Sequence, residues 1–366
     1  MIIIPEAISF YIQKGIIMEK LNVAVIFGGC SPEYSVSLES AHAVITHTDR
    51  TRYNPVLIGI SSAGNWYHFT GEAEKIRLDT WNTPDDCAPA LVSPDRDAHG
   101  LLVQASAGME KIFLDAAFPV LHGRNGEDGT VQGLFELAGI PLVGCGVLAS
   151  ALCMDKDRAR KLAQAAGVTI PSSTVLTKEN STEDASACAD KLGYPLFVKP
   201  LRAGSSYGIT KVTERDELPT AIKLAFEFDS HIILEEAISG FEVGCAVLGN
   251  DTLTVGEPDE IELADGFFNF TEKYTPRTSA IHIPARISPI KAAEIKETAQ
   301  RIYKALGCQG FARVDMFLDE NGRVVFNEVN TIPGFTAHSR YPSMMKAIGM
   351  SFEQVISNVI ELAVSK

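Results

Sequence analysis

Short runs of β-branched and apolar residues alternate along this chain with longer amphipathic stretches. Asn22–Phe27 is one such run, ending in Gly28-Gly29, and a helix-like segment follows over Val36–Thr46. Pro55–Ile60 reads as a second strand, closed by SSAGNW, and Phe118–Leu121 as a third, ending at His122. This alternation predicts a parallel α/β sheet. Ligands of such sheets lie beyond the carboxyl ends of the strands, where both Glu33 and His122 fall. Helices are expected over Thr130–Ala138 and Met154–Ala166, and strands over Leu196–Lys199, Ile232–Glu235 and Glu242–Leu248. A polar and aromatic stretch, 258–280, precedes a helix near Ser288–Leu306, a hairpin over Ala312–Asn330 and a last helix near Phe352–Val364.

The hairpin is the most informative element. Its turn is Asn321-Gly322, the preferred pair for a two-residue type I′ loop. That loop pairs Glu320 with Arg323 and therefore sets Asp315 opposite Glu328. Side chains alternate faces with period two, so Arg313, Asp315, Glu328 and Asn330 share one face. Like charges directly opposite each other destabilise a sheet, and a cation between them removes the penalty. Two carboxylates and an amide oxygen suit Mg²⁺ when phosphate oxygens complete its shell. The same spacing also allows a solvated polar face on which Arg313 bridges the acids.

Other groups are weaker signals individually. Lys199 ends the apolar strand LFVK, and Ala203–Gly208 (AGSSYG) is a small-residue loop. Exposed N–H groups in such a loop cradle phosphate, although an ordinary turn has the same composition and the pattern is not a Walker loop. Lys156 opens a helix, as a surface lysine also would. In LHGRNGEDG, Asp128 reads as an N-cap. Glu33, just before a helix, complements the dipole even without a ligand. The Gly334 N–H, freed by a Pro-Gly turn, is suited to face an oxyanion.

Composition narrows the field. At 366 residues the chain exceeds one ordinary core and predicts two to three domains. Acidic residues outnumber basic ones, 46 to 32, for a net charge of −14. That excludes a uniformly basic nucleic-acid surface and a general attraction to anionic membranes, so an anionic ligand needs a local Lys/Arg cluster. Seven cysteines without a C-x-x-C pair signal neither zinc nor a disulfide framework, and predict a reducing, cytoplasmic location. The first seventeen residues are apolar but broken by Pro5, Glu6 and Lys14. They read poorly as a signal peptide and are too short to span a bilayer. Residues 1–18 are therefore expected to be a leader outside the fold, with the α/β pattern opening at MEKLNVAVIFGG. A dinucleotide-binding oxidoreductase would share that opening, but GGCSPE is not G-x-G-x-x-G.

Eight stretches, taken together, resemble the D-alanine–D-alanine ligases of the ATP-grasp superfamily. They are VAVIFGGCSPEYSVSLES, FPVLHGRNGEDGTVQG, MDKDRARK, FVKPLRAGSSYGITKV, EEAISGFEVG, EKYTPRTS, GFARVDMF and FNEVNTIPGFTAHSRYP, in family order from about Val23 onward. The resemblance implies an α/β and α+β, ATP-grasp architecture. It divides into an N-terminal Rossmann-like domain (19–123), a central subdomain (124–235) and a C-terminal subdomain with the metal site (236–366). It implies ATP as substrate and two Mg²⁺ (or Mn²⁺) held by Asp315, Glu328 and Asn330. Lys156 and Lys199 would contact the nucleotide phosphates, Glu235 and Glu242 the adenine-ribose side, and Lys273 the γ-phosphate, with Phe267 also binding ATP. Glu33 would grip the amino group of the first D-alanine, near His122, and join Ser205 and Tyr274 in closing the loops. Arg313 and the Gly334 N–H would stabilise the tetrahedral intermediate. The reaction implied is phosphorylation of D-alanine to an acylphosphate, then attack by a second D-amino acid; the assembly implied is a homodimer.

Two features bear on the acceptor. Lys273-Tyr274 is retained, whereas the family's D-lactate-using ligases carry a histidine in that loop. Arg340, in HSRYP, replaces the apolar residue usual in the D-alanine enzymes. Together with Phe268 and Ser339 around that subsite, the pattern looks most like the vancomycin-resistance D-alanine–D-serine ligases. D-alanine as acceptor remains the alternative. A non-catalytic nucleotide sensor is disfavoured by the complete set of lysines and acids.

Overall fold

In the computed structural model, which describes residues 19–180, 182–204, 207–263 and 279–365, the chain builds three sheets in succession. The leader, Ser205, Phe267, Phe268, Lys273 and Tyr274 lie outside the described residues. The first sheet contains β1 (Leu21–Gly28), β2 (Tyr53–Ile60), β3 (Trp66–Phe69), β4 (Cys87–Val92), β5 (Gly100–Ala105), β6 (Gly108–Phe113) and β7 (Ala116–Pro119) in the order β6-β5-β4-β3-β2-β1-β7. Only β2-β1-β7 are parallel; β3 to β6 extend the sheet antiparallel. The expected parallel sheet is thus corrected to a mixed one. Parallel strands are buried on both faces and read as unbroken apolar runs, as β1 does with its last six residues buried. By contrast β6, GMEKIF, is almost wholly exposed and gives no such signal.

The second sheet, antiparallel throughout, has β8 (Ser173–Thr177), β9 (Leu196–Pro200), β10 (Thr210–Val212) and β11 (His231–Glu236) in the order β10-β9-β11-β8. The third runs β15-β14-β12-β16-β17, with β13 on β12. Its strands are β12 (Gly240–Gly249), β13 (Leu253–Val255), β14 (Asp259–Leu263), β15 (Ser279–His282), β16 (Phe311–Asp319) and β17 (Val324–Asn330).

The helices are α1 (Tyr34–His47), α2 (Ala73–Arg77), α3 (Thr130–Ala138), α4 (Val147–Met154), α5 (Lys156–Ala165), α6 (Thr182–Leu192), α7 (Leu218–Phe228), α8 (Pro289–Ala305), α9 (Arg340–Ala347) and α10 (Phe352–Val364). Their packing does not follow chain order. Val131, Phe135 and Ala138 of α3 join the core of the first sheet with Ala24, Ile26 and Ala117. Helices α4, α5 and α8 pack on the third sheet, Ala149, Ala159 and Ile302 meeting Val243, Val314 and Phe326. Helix α10, started by a Ser351–Gln354 capping box, returns Val355, Ile356, Val359 and Ile360 to Val23 and Phe118 of the first sheet.

The helix expected over 154–166 is α5, opened at Lys156 by Asp155, whose extended backbone and carboxylate cap it by accepting from Arg158 N–H at 3.0 Å; a separate helix, α4, ends just before it at Met154. One local expectation is corrected. Asp128 does not cap α3 as expected, because Gly129 occupies the N-cap with φ 94°. Instead the Asp128 carboxylate accepts from the N–H groups of Asn125 (2.8 Å) and Thr130 (3.0 Å) and closes the preceding turn.

The hairpin reaches its expected pairing by a different route. Its loop has three residues, with Asp319 N–H donating to Arg323 O at 3.0 Å and Gly322 at φ 76°. Near the turn the register is therefore one residue off, Leu318 facing Val324. A bulge between Asp315 and Met316 then absorbs Asn327 and restores Asp315 opposite Glu328 and Arg313 opposite Asn330.

Candidate active site

The site grows from the third sheet. Asp315 is buried, and it lies opposite Glu328 as the hairpin pattern required. Asn330 Nδ2 donates to Asp315 Oδ2 at 2.8 Å, and Arg313 forks the same carboxylate with Nε–Oδ1 at 2.8 Å and Nη2–Oδ2 at 2.7 Å. Among the described residues no three His, Cys, Asp or Glu side chains form a closed metal cage. Two opposed carboxylates fit a magnesium that draws its remaining ligands from nucleotide phosphate and water. Arg340, from the start of α9, is buried against the same patch. Its guanidinium reaches Asp259 twice (2.6 and 2.8 Å), Glu242 Oε1 (2.8 Å) and Asp315 Oδ1 (3.4 Å).

Two lysines flank these acids. Lys156, the first residue of α5, donates to Ala203 O at 2.7 Å and stands 3.9 Å from Glu328 Oε2. Burial pushes its ammonium pKa down. Lys199, near the end of β9, donates to Glu235 Oε1 at 3.0 Å, while Arg160 holds Glu235 Oε2 at 2.7 Å. Burial alone would raise the Glu235 pKa, but Arg160 and Lys199 outweigh it and hold the carboxyl at about 2. Arg160, only 1% exposed, is a site residue that sequence reading missed. Its signal is its place one helical turn after Lys156 on α5.

A second corner forms where α1, the loop after β7 and the loop after β17 meet. Glu33 is buried against Gly123 and Gly204; a Cβ at Gly123 would collide with its carboxylate, and one at Gly204 would come within 3.1 Å. Gly204 belongs to the small-residue loop, so Glu33 and that loop are neighbours. His122 faces Ile332 O through Nδ1 at 2.9 Å and Ser40 Oγ through Nε2 at 3.2 Å. Burial lowers its pKa to about 4, so it is neutral and Nδ1 carries the proton. Glu127, also missed, accepts from Gly123 N–H (2.8 Å) and Ile332 N–H (3.1 Å). Burial first, and Glu33 beside it, push Glu127 up to about 8. Nothing in the GRNGEDG run separates Glu127 from a solvated turn acid.

The loop 331–338 completes the enclosure. Phe335 N–H donates to Ser40 Oγ at 3.3 Å, and Gly334 packs beside Ser339, whose Oγ lies 2.8 Å from Thr336 Oγ1. A cavity of about 330 Å³ lined by Gly29, Cys30, Leu121, His122 and Asn125 opens beside this corner. A larger cleft of about 980 Å³, between Thr46–Arg52 and Ile348–Glu361, contains none of these residues, and the chemistry argues against it as the active site.

The structure thus brings together Lys156, Lys199, Glu235, Glu242, Arg313, Asp315, Glu328, Asn330 and Arg340 on one side, and Glu33, His122 and Gly334 on the other. Comparison with known proteins gives this arrangement its setting. Residues 22–145 match the D-ala D-ala ligase N-terminus model and residues 162–361 the D-ala D-ala ligase C-terminus model. The vancomycin/teicoplanin A-type resistance protein VanA of Enterococcus faecium is 46% identical, over 94% of this chain and 99% of its own length. A D-alanine–D-alanine ligase of Caldicellulosiruptor bescii is 44% identical, over 95% and 96%. The crystal structure of the VanG D-Ala:D-Ser ligase from Enterococcus faecalis superposes with a TM-score of 0.88 at 55% identity, covering 94% of this chain and all of that one. The chain belongs to the D-alanine–D-alanine ligase family and is an ATP-dependent ligase with the ATP-grasp fold.

Proposed function

We propose that the protein joins D-alanine to D-serine through a D-alanyl phosphate, in peptidoglycan precursor synthesis of the vancomycin-resistance type. The observation that carries the acceptor assignment is Arg340: a buried guanidinium, fixed in a fork on Asp259, where family members for D-alanine carry an apolar residue. A fixed cation beside the acceptor side chain favours a hydroxyl over a methyl. The resemblance to a structure titled as a D-Ala:D-Ser ligase points the same way.

In this reading Lys156 and Lys199 neutralise the nucleotide phosphates, Glu235 and Glu242 hold its adenine-ribose part, Phe267 also binds the ATP, and Lys273 reaches the γ-phosphate. Asp315, Glu328 and Asn330 hold two Mg²⁺ (or Mn²⁺), which spread the charge of the transferring phosphoryl group when bound. The opposed acids and the nearby Lys156 support this set. Glu33 takes the ammonium of the first D-alanine, with His122 neutral beside it. Arg313 and the Gly334 N–H face the oxyanion of the tetrahedral intermediate. Glu33, Ser205 and Tyr274 draw the loops together and exclude water, which would hydrolyse the acylphosphate. Phe268 and Ser339 line the acceptor subsite with Arg340. The three-part division at 19–123, 124–235 and 236–366, a homodimer and a cytoplasmic location belong to the same proposal. No single helix among the described residues is long and apolar enough to cross a membrane.

One observation favours D-alanine as acceptor instead: the Arg340 N–H groups are engaged by Asp259, Glu242 and Asp315. Competition of D-alanine, D-serine and D-lactate in one ATP-fuelled assay, with products separated by chromatography, decides the matter. Predominance of D-alanyl–D-serine is expected, and predominance of D-alanyl–D-alanine would refute the acceptor assignment.

A further inference from the structure

The turn 332–335 leaves the third sheet after β17, yet it is held from the side of the first sheet. Glu127 Oε1 accepts from the Ile332 N–H at 3.1 Å, His122 Nδ1 donates to Ile332 O at 2.9 Å, and the Phe335 N–H donates to Ser40 Oγ at 3.3 Å. Pro333 has no N–H to give. Among the described residues, the Gly334 N–H is therefore the one backbone donor of this turn without a partner.

Ser40 lies on α1, fully buried, and no step of the proposed reaction uses it. Its hydroxyl also lies 3.2 Å from His122 Nε2. Neutral His122 spends its proton at Nδ1 on Ile332 O, so Nε2 is an acceptor and the Ser40 O–H is its donor. These bonds close a ring. It runs from the Phe335 N–H to Ser40, from Ser40 to His122, from His122 to Ile332 O, and back along the backbone through Pro333 and Gly334. One hydroxyl both gives and receives, so the polar atoms it joins are satisfied inside the protein. Alanine in its place would leave the Phe335 N–H and His122 Nε2 buried without partners, at a cost that favours a displaced turn.

We propose that Ser40 is a positioning residue that closes this ring and thereby aims the Gly334 N–H at the carbonyl oxygen under attack. The ring fixes the residues on both sides of Gly334, so the direction of its N–H is set before charge develops, which is what makes such a donor effective. The rate effect rests on the proposed function, in which Gly334 faces the oxyanion; the placement of the turn does not.

Pro333-Gly334 is the only Pro-Gly pair in the sequence. Labelling proline carbonyls with ¹³C and glycine amides with ¹⁵N therefore isolates one amide signal by nuclear magnetic resonance, that of Gly334. Ser40→Ala moves this signal by more than its linewidth. It also lowers kcat by about tenfold, less than the roughly 100-fold expected when an oxyanion donor is deleted outright, and leaves KM for ATP within about twofold of the parent. An unmoved signal would mean that the turn is held without Ser40, and overturns the positioning. A moved signal with unchanged kcat supports the placement of the turn but refutes the oxyanion role of Gly334, and the rate effect falls with it. A loss of ATP binding as large as the loss of kcat would mean general damage to the fold and also overturns the positioning. Ser40→Cys is nearly isosteric and a weaker donor and acceptor. It shifts the signal in the same direction by less, and decides the matter if Ser40→Ala fails to fold.

Discussion

Two regions of the molecule bury carboxylates by opposite means. On the third sheet and beside it, Asp315, Asp259 and Glu235 are neutralised by guanidinium and ammonium groups within ion-pair distance. At the corner between α1 and the loops after β7 and β17, Glu127 has backbone N–H donors and lies near another acid, Glu33, so a proton does the neutralising. Charge kept by partners is insensitive to pH near neutrality; charge removed by protonation is not. The first region therefore suits a polyanionic nucleotide and its metal, and the second suits an incoming ammonium group that can replace the proton.

The largest effect is expected at the opposed acids of the third sheet. Glu328→Gln keeps the shape but removes one of the opposed charges, and kcat should fall by about 100-fold or more, as when a group stabilising transition-state charge is lost. Unchanged turnover in steady-state assays would mean that the opposed acids do not serve phosphoryl transfer. Lys199→Ala leaves the Glu235–Arg160 pair without its second cation. It should weaken ATP binding by calorimetry and cost on the order of 3 kcal/mol of stability in denaturant titration. A stability equal to that of the parent would show that the partner-neutralised region is not held as described.

Acid titration should expose the other region. The folded pKa of His122, about 4, lies below its unfolded value of 6.5, so the unfolded chain binds the extra proton between these values. Its stabilising contribution is complete above pH 6.5 and is lost as pH falls to 4, on the order of 3 kcal/mol in all. Denaturation midpoints measured across that range should show a slope that His122→Asn removes. Glu127 has the opposite sign: its folded pKa, about 8, lies above the unfolded 4.5, so its contribution is complete below 4.5 and is lost as pH rises through 8. Glu127→Gln should flatten the fall in stability between pH 4.5 and 8. An unaltered slope there would mean that Glu127 is ionised in the native protein.

These regions were unequally visible in the sequence. The opposed acids of the third sheet follow from a turn dipeptide and the two-residue period of a strand, both local rules. Even so, the inferred turn length was one residue short, and only the bulge at Asn327 made the Asp315–Glu328 pairing come out right. Strands β1 and β2 were plain as apolar runs and β7 in part, whereas the antiparallel strands β3 to β6 were not; β6, at the sheet edge, is exposed at nearly every position and carries no apolar run. Glu127, Arg160 and Asp259 escaped notice for another reason. Their roles arise from contacts with residues far away in the chain (Glu127 with Ile332, Arg160 with Glu235, Asp259 with Arg340), or from burial, and neither is written into the local pattern.

The return of α10 to the first sheet has a consequence for how the protein is made. Val23 and Phe118 have their side-chain neighbours completed by Val355, Ile356, Val359 and Ile360. The opening β-strands emerge from the ribosome long before those partners exist. The earliest-synthesised sheet must therefore wait, partly uncovered, for the latest helix, and losing that helix would expose the apolar face at the other end of the sequence.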